Sequence, residues 1–494
     1  MPLGKTLYSN ANIFDGNTIH PNYSLAISDG RIMGFGQSSD FESSYFDHTI
    51  DCQGKLITES FIDSHSHILS YASNLTKPHI NYQSIKSKSD LINQIENIVK
   101  SSREYWIKIY GLQMQDRQIY INKTDLDEIS NEVPIVIYLD SLHGNLLNSK
   151  ALEIIGVTEY TNEPTGITFD RQVQNGKLSG YIFEGDQLID EYMPKSSSSD
   201  LKKSLDKILN LYQQNGYSII NDASITNDLL KFQFLSSIGS NKPEFPKIIF
   251  MPGYPNLHEF SREELFYKSS IGSLSLGHCK IMLTASSGQC VPDIETLSAQ
   301  VNKSHMAGFP VAIHAVDNLS VKAAIKAISM NPFENDRIEH ASELFDEDIE
   351  NIKKNNINVS THPSFIYERG DLYLKEKNPE YINSLYRIGS LINSGITVGY
   401  SSDAPVSSIN PLIGMYANFT RTTRLGEILN SAEKVCIQST LKMLTEHNKT
   451  LTSVNSERAI QIGENSKMLL IDIDINNIDA KYLNNINPPI KWIN

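Results

Sequence analysis

The chain has 494 residues, too many for one small hydrophobic core, which leaves one large barrel with an accessory domain, or about two to three domains. Its 57 acidic residues outnumber its 43 basic ones for a net charge of −14, and nothing resembles a basic stripe that would follow a phosphate backbone, so nucleic acid is excluded as a partner. Met1-Pro2-Leu3-Gly4-Lys5-Thr6 lacks the regions of a signal peptide and no apolar run approaches the roughly 20 residues of a membrane helix, so a cytoplasmic protein with no membrane partner is expected.

Residues 1 to 57 read as short alternating strands: Asn10 to Phe14, Leu25 to Ser28, the turn Asp29-Gly30, and Arg31 to Phe35. Asp-Gly between two apolar alternations is a strong hairpin signal. Near the other end, Arg458 to Ile462, the turn around Gly463-Glu464-Asn465 and Met468 to Ile473 look the same. Neither piece can bury a core alone, so both ends, 1–57 and 447–494, are expected to join in one small β-sandwich domain. The stretch from about 75 to 205 reads as an α+β insertion. It holds an amphipathic segment from Leu91 to Val99, strand-like runs at Trp106 to Tyr110 and Val133 to Leu139, and a serine run, Ser196 to Ser199, that suits a linker, an exposed loop or a helix cap. From about 205, strands and helices alternate. Strands are expected at Tyr217–Asn221, Lys247–Met251, Cys279–Leu283, Phe309–Ile313, Arg337–Glu339, Ile357–Ser360 and Ile396–Gly399, with helices such as Ile294 to His305 and Leu319 to Met330 between them. With the strand at Phe61 the count is eight, the pattern of an α/β (β/α)8 TIM-type barrel spanning 58–446.

The strand Phe61-Ile-Asp-Ser-His-Ser-His67 ends in two histidines one residue apart. Alternation turns Asp63, His65 and His67 to one side, where two imidazoles can share a divalent metal and a carboxylate behind them can fix a ring tautomer. A lone His-x-His also suits a polar strand end. The later strand ends supply what would complete a site: Lys280 on strand four, His314 after strand five, His340 after strand six and Asp403 after strand eight. Catalytic groups of such barrels sit at those ends. Lys280 shares its face with His278, which could ligate instead and leave the lysine as an ion-pair donor, and Asp403 could cap a following helix. His362, in Ser360-Thr-His-Pro363, suits either the pocket or a turn, and His20, His48, His258 and His447 read as solvated. Four scattered cysteines, Cys52, Cys279, Cys290 and Cys436, read as reduced, buried thiols.

The motifs Phe61 to His67, Asp140-Ser-Leu-His-Gly-Asn-Leu-Leu-Asn-Ser-Lys-Ala-Leu152, Ala312-Ile-His-Ala315, Arg337-Ile-Glu-His340 and Ser401-Ser-Asp-Ala-Pro405 resemble the amidohydrolase superfamily, in the branch typified by N-substituted formamide deformylase and the exoenzyme regulatory proteins. The resemblance covers nearly the whole chain. It implies that His65 and His67 hold one metal, His314 and His340 a second, that a carbamylated Lys280 bridges them, and that Asp403 binds metal and moves protons. It also implies that His143 reaches the substrate. Such a set suits one or two zinc ions that acidify water for attack on a carbon–nitrogen bond other than a peptide bond, in a linear amide. A mononuclear deaminase of a nitrogen heterocycle, which would not need Lys280, and a catalytically silent homologue are the alternatives. The expected partner is a small-molecule substrate, and a homo-oligomer is compatible with the sequence.

Overall fold

The computed structural model describes residues 4–75, 77–113, 119–140, 144–164, 166–194, 197–239, 245–285, 288–376, 378–454, 460–476, 478, 480–483 and 489–493. The chain forms two compact units, Met1–Ile68 with Lys207–Asn494, and Leu69–Asp206.

The first unit is built on eight short strands that alternate with helices: β1 (Phe61–Ser66), β2 (Tyr217–Asp222), β3 (Lys247–Phe250), β4 (Cys279–Met282), β5 (Val311–Ala315), β6 (Arg337–His340), β7 (Asn358–Thr361) and β8 (Val398–Tyr400). Most of their residues are buried, as a parallel sheet covered on both faces requires. β1 pairs in parallel with β2 and β2 with β3, and β4 to β8 pair in parallel in sequence order. Each connecting helix turns an apolar stripe inward. Ile294–Met306 buries Leu297 and Val301, and Asn318–Met330 buries Val321, Ala324, Ile325 and Ile328. Asp293 and Asp317 cap them, accepting from the backbone of Thr296 and Ser320.

The two parallel sheets touch along both free edges. A short strand, Leu274–Leu276, lies on β3 and runs on through Gly277 into β4, where Lys280 N donates to Pro252 O at 2.8 Å. On the other side Asp403 N donates to His65 O at 2.9 Å and His67 N to Ala404 O at 2.8 Å. Asn448 also spans this seam, its amide donating to Ile62 O on β1 and, at 2.7 Å, to Tyr400 O on β8. It reaches both because β8 carries Gly399, where a Cβ would lie 2.3 Å from Asn448 Oδ1.

Strands from both chain ends share one seven-stranded sheet. The Asp29-Gly30 turn joins Ile19–Ser28 to Arg31–Gln37 with φ of 49° and 75°, the left-handed pair a two-residue hairpin needs. The ten-residue strand Lys5–Phe14 links the sheet, pairing with His48–Asp51 along its first half and Leu56–Glu59 along its second. The expected strand Arg458–Ile462 begins in residues outside those described, and the turn after it lies against Arg31 and Ile32.

In the second unit Ile107–Leu112 pairs in parallel with Ile135–Leu139, and Gly144–Leu147, Leu178–Phe183 and Thr168–Arg171 continue antiparallel. The amphipathic segment at Leu91 is the helix Lys88–Ser101, which buries Leu91 and Ile95. Of the serine run, Ser196 lies outside the described residues, and Ser197 accepts from Asp200 N as the helix Ser198–Gln214 starts.

No helix among the described residues is long and apolar enough to cross a membrane. Cys52 and Cys279 are buried, whereas Cys290 is partly exposed and Cys436 exposed, because both stand outside the sheets.

Replacing Asn448 with alanine removes a hydrogen bond to Ile62 O and one to Tyr400 O, which keeps Ser64 Oγ as a donor. The expected loss is about 0.5–1.5 kcal/mol for each hydrogen bond removed, read as a lower urea midpoint. An unchanged midpoint would show that this seam does not hold the sheets together.

Candidate metal centre

Register decides which side chains face the site. Lys280, Ala312 and Arg337 are level on adjacent strands, and one step further on so are Met282, His314, Glu339 and Ser360. Alternation puts Lys280, His314 and Glu339 on one face and would turn His340 to the other. It is brought back because the chain bends into the left-handed region there, with φ of 70° at His340 and 47° at Ala341. Asp403 likewise has φ of 57°, beyond the end of β8.

The rings converge. The His65 centroid lies 5.2 Å from that of His67, 5.0 Å from His340 and 5.3 Å from His362, and His340 is 4.5 Å from His362 and 4.3 Å from His314. The Asp403 carboxylate reaches His67 Nε2 at 3.2 Å, His65 Nε2 at 3.6 Å and His340 Nδ1 at 4.0 Å. Two sets offer ligand atoms within 4.8 Å of one another: His65, His67 and Asp403, and His65, His340 and His362. His314 stands beside these sets without joining either.

Second partners fix some of the rings. His65 Nδ1 meets Glu339 Oε2, and Glu339 in turn accepts from Arg337 Nε at 2.6 Å. A carboxylate only accepts, so the proton is on Nδ1 and the lone pair of Nε2 faces the cluster. His67 Nδ1 lies 3.0 Å from Ser224 Oγ. Asp222 ties that loop down, accepting from Ser224 N and Ile68 N at 3.1 Å each. Asp63 does not back a ring as expected. Its carboxylate accepts from the backbone and hydroxyl of Ser402, and burial, outweighing those bonds, raises its carboxyl to about 7.

Among the described residues His65 Nε2, Lys280 Nζ, His340 Nε2 and His362 Nε2 are buried with no hydrogen-bond partner. Such atoms are rare and ask for an explanation. Burial keeps the rings of His65, His340 and His362 neutral by lowering their pKa, and brings the Lys280 ammonium down to about 8. Burial pushes the Asp403 carboxyl up, but the hydrogen bond from His67 outweighs it and the carboxyl stays well below the usual carboxylate range. Neutral imidazole nitrogens around an ionised carboxylate are the donor set a divalent cation takes, so the residues fit a metal.

His278 is no competitor for Lys280: its Nε2 donates to Asn335 O at 2.9 Å, and its ring packs on Tyr267. Nor is Asp403 a helix cap, since Asn410 caps the helix Pro411–Thr420. His447 is less solvated than expected, its Nδ1 lying 2.9 Å from Val398 O. His143 lies outside the described residues. Glu339 had no role from sequence, and His362 was left open between the pocket and a turn. The strand-end rule that finds His340 would also have found His362.

A model of the amidohydrolase family matches residues 48–490. The YtcJ amidohydrolase of Bacillus subtilis (strain 168) is 22% identical over 85% of this chain and 85% of its own length. N-substituted formamide deformylase of Arthrobacter pascens is 20% identical over 91% of this chain and 90% of its own. A metal-dependent hydrolase from Pyrococcus horikoshii OT3 shares the fold, with a TM-score of 0.72 at 20% identity, over 95% of this chain and 98% of that one.

Glu339→Gln removes the carboxylate that fixes the His65 tautomer. Metal affinity is expected to fall about 10–100-fold in a chelator competition. The thermal midpoint should fall too, because Arg337 is left buried without a counter-charge. Unchanged affinity would mean that Glu339 serves Arg337 alone.

Proposed function

This chain belongs to the amidohydrolase family, and on that premise we propose that it is a metal-dependent hydrolase of a carbon–nitrogen bond other than a peptide bond, acting on a linear amide. One observation carries the reading. His65 Nε2, Lys280 Nζ, His340 Nε2 and His362 Nε2 are buried and unpartnered among the described residues, and an ionised Asp403 carboxylate lies against the His65, His67 and His340 rings. The likeness to N-substituted formamide deformylase along 91% of the chain supports an amide as substrate. The contacts at both sheet edges support closure of β1 to β8 into a (β/α)8 barrel with this cluster at its C-terminal mouth.

In this reading His65, His67 and Asp403 would hold one ion, His314 and His340 would hold a second, and a carbamylated Lys280 would supply an anionic oxygen donor to them. Zinc suits such a set. A bound divalent cation supplies a Lewis acid for the amide carbonyl and lowers the pKa of water. Asp403 Oδ1, which faces His65 and His67, accepts the proton of the attacking water. The water oxygen bonds to the carbonyl carbon, the carbon–nitrogen bond breaks, and Asp403 returns the proton to the leaving nitrogen. Amide and water become acid and amine with no further reactant. The His65 imidazole cannot compete for that proton, because Glu339 holds its Nδ1 hydrogen and Nε2 is needed as a ligand.

Carbamylation needs the neutral amine, and burial has brought Lys280 to about 8. Below that pH the ammonium dominates and above it the free amine does, so incorporation of labelled bicarbonate should rise between pH 7 and pH 9. A flat profile would remove Lys280 from the bridge.

Dialysis against a chelator followed by metal analysis tests the whole proposal. Near two metals per chain on reconstitution, with amide hydrolysis restored, is the expected result; about one favours a mononuclear site, and none contradicts the proposal. Asp403→Asn should keep the fold and much of the metal while lowering kcat about 10²–10⁴-fold. Full turnover in that variant would overturn its role.

A further inference from the structure

We infer that His362 is itself a metal ligand, holding an ion through Nε2 together with His65 and His340. The inference rests on the proposed function and changes one part of it: His65 and His340 share an ion with His362, in place of their division between two ions.

The argument begins with the proton on the other nitrogen. His362 Nδ1 lies 2.8 Å from Ser401 Oγ. A hydroxyl has one hydrogen, and Ser401 spends it on Thr361 O at 2.8 Å. Toward His362 the serine oxygen can only accept. His362 therefore carries its hydrogen on Nδ1, and the lone pair of Nε2 is free.

His362 is fully buried, and Nε2 has no hydrogen-bond partner among the described residues. Its ring offers a ligand nitrogen within 4.8 Å of one on His65 and one on His340, both of which are also unpartnered at Nε2. The ring is not free to turn away. Phe365 packs against it with centroids 5.3 Å apart, and Phe365 N donates to His362 O as the helix Ser364–Glu376 begins. A turn histidine would need none of this: its ring would be solvated, or both nitrogens would be bonded within the turn. A proton-bearing Nδ1 held by a fixed acceptor is instead how proteins orient a ligating imidazole.

The consequence is a count. Ligand sets drawn from His65 with His67, or His314 with His340, give two imidazoles per ion. The set with His362 gives three.

The first test uses the wild-type protein loaded with one equivalent of zinc and read by X-ray absorption. Three imidazoles on the ion are expected; two overturn the inference while leaving the proposed function standing. A wild-type chain that takes up no metal overturns both. Two variants give an independent reading. His362→Gln should weaken zinc at least about 10-fold in competition with a chromophoric chelator. His362→Cys, loaded with cobalt(II), should gain a thiolate-to-cobalt charge-transfer band in the near ultraviolet. Wild-type affinity in a folded His362→Gln, or no such band in a folded His362→Cys, overturns the assignment.

Discussion

The site depends on one buried chain of charge, Arg337 to Glu339 to His65. Arg337 is fully buried, and its guanidinium is spent on Glu339, Ser64 O and Leu451 O. A guanidinium out of water needs a carboxylate, so Glu339 is held in place whatever else happens nearby. Glu339 then has one oxygen left for His65 Nδ1. The tautomer of the deepest ring, and so the direction of its lone pair, follows from an ion pair two residues long on β6. The same arginine ties β6 to β1 through Ser64 O, so the strand that carries His65 and the strand that orients it cannot shift independently.

Around that chain, the backbone does what simple alternation cannot. Strands present every second residue to one face, which delivers Lys280, His314 and Glu339 but would send His340 away. Left-handed residues at the ends of β6 and β8 bring His340 and Asp403 in. Such conformations cost of the order of 1–3 kcal/mol each and persist where the surroundings over-determine them. Here the surroundings are backbone hydrogen bonds from Asp403 N to His65 O and from Ala341 N to Ala315 O. Hydroxyls fill the remaining space under the site: Ser64, Ser360 and Ser401 form a bonded row that ends on His362.

Much of this was legible in the sequence, and the reason is periodicity. Short β-branched runs at regular spacing gave the eight strands of the α/β unit, and a rule about strand ends then pointed to His65, His67, Lys280, His314, His340 and Asp403. What could not be read depended on contacts between distant strands. Asp63 looked like the carboxylate behind the rings because it is two residues from His65, but Ser402 takes it, and Glu339, 274 residues away, holds the ring. His362 was left between pocket and turn because a histidine before proline suits both; what orients it is Ser401, just past the end of the next strand.

The central claim is that these distant residues gather to grip a dication, and the most direct measurement is anomalous diffraction from crystals grown with zinc. The account predicts a peak at about 2.0–2.1 Å from His65 Nε2, with the Asp403 carboxylate on the same ion. A fully loaded crystal with no anomalous peak within bonding distance of His65 would contradict it.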